Sequence, residues 1–159
     1  MLEVAGLSSR PGKGGVMIVK NILAGKGGNV VTIKPTADVI AAAKLMAEAG
    51  IGAVVVLGAD NRIIGILSER DIVQALAEHG GAVLTEPVSQ IMTREVKTCS
   101  EDDTIADLMG RMTSGRFRHL PVVQQGKLTG IVSIGDVVKG RVEEIDQETK
   151  TLRDYIQTS

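Results

Sequence analysis

Gly65-Ile66-Leu67-Ser68-Glu69-Arg70-Asp71 returns further along the chain as Gly130-Ile131-Val132-Ser133-Ile134-Gly135-Asp136. In both copies a short run containing β-branched residues ends in a hydroxyl residue, and three positions later an Asp opens an apolar stretch with helical spacing. Each Asp therefore sits where a strand hands over to a helix. There the unpaired N–H groups of the first helical turn favour a carboxylate and attract anions. The two junctions lie 65 residues apart, so the function belongs to the pair.

Working outward, the duplication covers most of the chain. Val30-Val31-Thr32-Ile33 aligns with Glu95-Val96-Lys97-Thr98-Cys99 as short extended segments. A one-sided helix follows each: Val39, Ala42, Ala43 and Met46 in the first copy, Ile105, Leu108, Met109 and Met112 in the second. Thr36 and Ser100 to Asp103 supply expected caps, and Gly50 and Gly115 expected stops. Next come paired strands, Ala53–Leu57 with Arg62–Leu67 and His119–Val123 with Leu128–Val132, followed by the helix that each motif opens. Pro87 to Met92 mirrors Val19 to Leu23 as a lead-in turn.

The expected organisation is a disordered leader over residues 1–16, with Met17 as an alternative start, one repeat over 17–82 and a second over 83–145. The last helix extends through 146–159. There Val138, Val142, Ile145, Thr149, Leu152 and Ile156 alternate spacings of four and three. Packing on the chain's own module and a dimer contact both fit that period. Gly25-Lys26-Gly27-Gly28 lacks the second half of a phosphate loop and reads as a flexible loop.

Composition narrows the function. The 159 residues carry a net charge of −1, two histidines and one cysteine, and Phe117 and Tyr155 are the only aromatics. That leaves no basic face and no base-stacking platform for nucleic acid. No apolar run approaches a membrane span, nothing resembles a secretory signal, and the cytoplasm is the expected compartment. Cys99 has no base beside it, and no spacing suits a metal. No motif for phosphoryl, acyl or hydride transfer is present, so no enzyme is expected.

These residues resemble a known family. Tandem β-α-β-β-α units, each ending in Gly-hydrophobic-x-Ser-x-x-Asp, with His119-Leu120-Pro121-Val122-Val123 on a middle strand, look like a pair of CBS (cystathionine-β-synthase-type) domains, a stand-alone Bateman module. The resemblance implies an α+β fold whose repeats pack about a pseudo-twofold axis and share two clefts. It also implies an adenosine-containing ligand there: AMP, ADP, ATP, NAD(H) or S-adenosylmethionine. Carried over by residue, one cleft uses Thr32, Ala53 and Val54 with Ser133 and Asp136. The other uses Thr98, His119 and Leu120 with Ser68 and Asp71. Arg118, His119 and Arg70 are the phosphate candidates, and the second motif lacks a cation because Gly135 replaces Arg70.

The implied function is an energy- or redox-sensing regulatory module, homodimeric, that changes conformation on binding and acts on a separate effector protein. A ligand-independent oligomerisation module is the alternative. Each Asp also fits a plain helix cap, and His119 a partly buried structural histidine.

Overall fold

The computed structural model describes residues 16–158. The expected leader lies almost wholly outside the described residues. The chain forms two compact units, one of residues 30–97 and one in which the segment up to Asn29 joins residues 98 onward.

In the unit of residues 30–97, strand β1 (Thr32–Ile33) lies parallel to β2 (Ala53–Leu57), which pairs antiparallel with β3 (Ile63–Ser68). Helix α2 (Val39–Ala49) connects β1 to β2, and α3 (Glu69–His79) follows β3. Val39, Ala42 and Met46 of α2 pack on Val54, Val56 and Leu67 of the sheet, so the helical spacing in the sequence marks the buried face. Gly50 ends α2 in a left-handed conformation, as expected, but its N-cap is Asp38 rather than Thr36.

In the other unit, β4 (His119–Gln124) and β5 (Lys127–Ser133) form an antiparallel pair closed by Gln125 and Gly126, both with positive φ, as a two-residue hairpin requires. Helix α1 (Val19–Lys26), α4 (Ile105–Gly115) and the 25-residue α5 (Ile134–Thr158) complete it. The expected strand over residues 95–99 shrinks to one parallel bridge from Cys99 to Val122, with two backbone hydrogen bonds. Two helix ends also differ from expectation. Thr104, not Ser100 to Asp103, caps α4, and the left-handed terminal residue is Arg116 rather than Gly115. Gly115 is needed for space instead: a Cβ there would run into the Phe117 ring.

The lead-in turns show why repeat and compact unit differ. Along the sequence each lead-in precedes its repeat, but each packs on the elements of the other. Val19 and Lys20 N–H donate to the carbonyls of Asp103 and Glu101, both at 2.9 Å, and Ile105 N–H donates to Met17 at 3.1 Å. In the same way Val39 N–H donates to Glu86, and Val88 N–H to Ala37. The first glycine of each motif makes room for this exchange. Leu23 of α1 lies on Gly130, and Met92 lies on Gly65, where any Cβ would collide.

Candidate functional site

Both motifs fold into the same local device. Ser68 is the N-cap of α3; its Oγ accepts the Asp71 N–H at 3.2 Å while its own N–H donates to Asp71 Oδ2 at 2.9 Å. Ser133 and Asp136 repeat the arrangement at 3.1 and 2.9 Å. The serine is therefore the cap and the aspartate the third helical residue, a reciprocal capping box. Sequence reading had the aspartate itself as the possible cap. Helix entry is tied down again where Glu69 N–H donates to the Gly52 carbonyl and Ile134 N–H to that of Arg118.

The two carboxylates differ in their other partners. Asp71 also accepts from the Thr93 hydroxyl, 3.3 and 3.4 Å from its two oxygens. Asp136 is ion-paired to Lys26 Nζ at 2.6 Å, and the same ammonium reaches the Ile131 carbonyl at 3.1 Å. Burial opposes the charge on Asp136, yet the Lys26 hydrogen bond and charge, with the Ser133 bonds, hold its carboxyl below the ordinary value. The motif itself has no cation before Asp136, where Gly135 stands, but α1 brings one to the carboxylate from outside the motif. Lys26 is not in a flexible loop but closes α1, with Gly27 N–H bonded to the Leu23 carbonyl at 2.7 Å.

The remaining predicted residues divide between the units. Thr32, Ala53, Val54, Ser68, Arg70 and Asp71 belong to one; Thr98, Arg118, His119, Leu120, Ser133 and Asp136 belong to the other. Ala53 faces Ser68 across β2 and β3, and His119 faces Ser133 across β4 and β5. Ala53, Val54 and Leu120 bury their side chains, leaving their backbone as the only polar reader. β1 pairs with β2 only at Val55 and Val56, so it does not cover that edge at Ala53 and Val54. Thr32 is exposed and lines a hollow of about 920 Å³ with Lys34, Thr36 and Asn61. The Thr98 carbonyl accepts from the Arg111 guanidinium at 2.8 Å. Arg70 and Arg118 are exposed, and no ion pair among the described residues involves either.

Lys26 and Thr93 are the site residues that sequence reading missed. Lys26 lies three residues after one lead-in turn and Thr93 directly after the other, but neither position is marked by a motif. Cys99 is buried, and that burial, with Asp103 nearby, pushes its thiol up to about 12 despite Arg111, so it is un-ionised at neutral pH. No metal-binding cluster and no helix long and apolar enough to cross a membrane occurs among the described residues.

Two α+β units, each presenting a Ser-x-x-Asp junction with its carboxylate held by a capping box, define a duplicated module built on one site design. The chain belongs to the CBS domain family, whose sequence model matches residues 19–78 and 88–143. It is 39% identical over 115 residues to an uncharacterised 17.7 kDa protein of Acidianus ambivalens, covering 72% of this chain and 68% of that one. It is 37% identical over 120 residues to a mitochondrial CBS domain-containing protein of Arabidopsis thaliana, of which it spans 58%. Among solved structures, a CBS-domain protein of Agrobacterium tumefaciens is 46% identical with a TM-score of 0.78, covering 82% of this chain and 98% of that one. A Pyrobaculum aerophilum CBS domain protein complexed with AMP is 28% identical, with a TM-score of 0.66 and coverages of 76% and 92%. The CBS domain pair of protein MJ0100, in complex with 5′-methylthioadenosine and S-adenosyl-L-methionine, is 26% identical, with a TM-score of 0.69 and coverages of 78% and 94%.

Proposed function

We propose that this chain is a regulatory module that binds an adenosine-containing ligand and passes the binding event to a separate effector protein by a shift between conformations. The observation that carries the reading is the pair of half-buried carboxylates, Asp71 and Asp136, each fixed by the N–H of its own serine. An ionised carboxylate accepts from two vicinal hydroxyls at once, and such charge-assisted bonds contribute about 1.5–3 kcal/mol each. Ribose is the matching group. The backbone of Ala53, Val54 and Leu120 reads an adenine edge without any aromatic residue, and Arg70, Arg118 and His119 take phosphate. Relatives bound to AMP, 5′-methylthioadenosine and S-adenosyl-L-methionine share the adenosine moiety, which supports this choice. AMP, ADP, ATP and NAD(H) stay candidates because the same moiety is common to all.

The two motifs are unequal in this reading. A ligand at Asp136 has to share the carboxylate with Lys26, whereas Asp71, besides the N–H of its own serine, takes the longer Thr93 hydroxyl bond. The chain regulates rather than catalyses. The test is thermal unfolding with AMP, ATP, NADH and S-adenosylmethionine, each at millimolar concentration. A ligand present at 100 times its Kd raises stability by about 2.7 kcal/mol, so at least one raises Tm by several degrees. No shift with any of the four would leave the ligand-independent interaction module as the better reading.

A further inference from the structure

We propose that Lys26 is a specificity-determining residue, through which the Asp136 motif selects adenosine ligands that carry an anionic group beside the ribose. The inference rests on the adenosine reading above and concerns which members of that class the second motif takes.

Closing the junction does not require a cation. Ile66 and Ile131 each stand five positions before their aspartate, and in both motifs that carbonyl and the carboxylate share one partner from outside the motif. For the first motif the partner is Thr93, and it is neutral. Its backbone N–H donates to the Ile66 carbonyl at 2.9 Å and its hydroxyl donates to Asp71. For the second a single ammonium does both, with Lys26 Nζ 3.1 Å from the Ile131 carbonyl and 2.6 Å from Asp136 Oδ2. A backbone N–H and a hydroxyl suffice at Asp71, so the charge at Asp136 is surplus to building the helix start.

The donors and acceptors left over define the ligand. An ammonium has three N–H donors; two are spent on Asp136 and Ile131, and one is left among the described residues. On the carboxylate, Oδ2 accepts from both the Ser133 N–H and Lys26, while Oδ1 takes no hydrogen bond among the described residues. The pair therefore presents one acceptor oxygen beside one cationic donor, on side chains 23 and 37% exposed. A hydroxyl donates to the first and an anionic oxygen accepts from the second, with Lys26 still in place. A nucleoside with a phosphate on its sugar carries both groups. Because the ion pair is neutral as a whole, Asp136 exerts no net pull on a cation such as the sulfonium of S-adenosylmethionine, and the ammonium repels it at close range. Asp71 has no ion-pair partner among the described residues and lacks this filter.

The experiment is isothermal titration of AMP, adenosine and S-adenosylmethionine into the whole chain carrying Asp71→Asn, which reads the Asp136 site alone, and into the same protein with Lys26→Met or Lys26→Arg added. With Lys26 present, AMP binds at least about tenfold tighter than adenosine. Lys26→Met removes that preference, weakening AMP at least about tenfold while adenosine and S-adenosylmethionine bind as well as before or better, and Lys26→Arg keeps it. A lysine that only supported the fold would weaken all three ligands alike. An Asp71→Asn chain that binds no AMP, a preference that survives Lys26→Met, equal weakening of all three ligands, or a Lys26→Met chain that circular dichroism shows unfolded overturns the proposal. The adenosine reading outlives each of these results if the unsubstituted chain binds AMP, ATP, NADH or S-adenosylmethionine, and falls only if it binds none.

Discussion

The residue that most changes the electrostatics of the second motif is Lys26, and it stands 110 positions from the aspartate it pairs with. The Ser-x-x-Asp pattern was legible because its geometry is local: a hydroxyl and a carboxylate three apart close a capping box in any helix start. Lys26 was not, since nothing in its glycine-rich surroundings shows which strand α1 will lie on. Thr93 escaped for the same reason, being 22 positions from Asp71. The Lys26 pair gives a signed pH dependence. The Asp136 carboxyl is held below its ordinary value of 3.8, so its contribution is present above that value and is lost as pH falls through the lower, folded-state value. Lys26→Met should therefore lose less stability on acidification below about pH 4 than the wild type. At neutral pH it should be destabilised by up to about 1 kcal/mol, the modest figure expected for a partly exposed pair. Urea unfolding at pH 7 and pH 3 checks both; an equal acid loss in the two proteins would remove Lys26 from the account.

At the scale of elements, helix and strand identity followed from periodicity, whereas the placing of the lead-ins did not. The sequence repeat runs lead-in first, but Leu23 packs on Gly130 and Met92 on Gly65, each on the sheet of the other repeat. Periodicity reports which face of an element is buried, not which partner buries it. The strand expected at Glu95 to Cys99 failed similarly. Cys99 alone makes a bridge, to Val122, and Arg111 takes the Thr98 carbonyl. Two glycines separate the packing role from the backbone role. Gly130→Ala should destabilise by about 1–3 kcal/mol, because the added methyl displaces a branched Leu23 held between sheet and helix. Gly110→Ala, in the middle of α4 with nothing within 4 Å of its Cβ position, should stabilise by about 0.5–1 kcal/mol. Chemical denaturation of both variants measures the contrast, and a neutral Gly130→Ala would show that the lead-in contact is loose.

For the whole molecule, the duplicated motif and its framework were enough to place the chain in the CBS domain family, which the family model bears out. The inequality of its two motifs is legible in the sequence, but the partner each carboxylate takes emerged only from the fold. Gly135 in place of Arg70 read as a missing cation, while Lys26 supplies one directly to the carboxylate. The central claim is that Asp71 and Asp136 hold the sugar of an adenosine ligand. Isothermal titration of AMP, ATP, NADH and S-adenosylmethionine into the wild type, Asp71→Asn and Asp136→Asn tests it most directly, because asparagine still accepts the serine N–H and preserves the helix start. The account predicts binding tighter than about 1 mM, equivalent to ~4.1 kcal/mol, with the loss of one site or at least about tenfold in affinity on removing the charge that serves it. Wild-type binding that neither substitution weakens, or no binding of any of the four ligands, would contradict it.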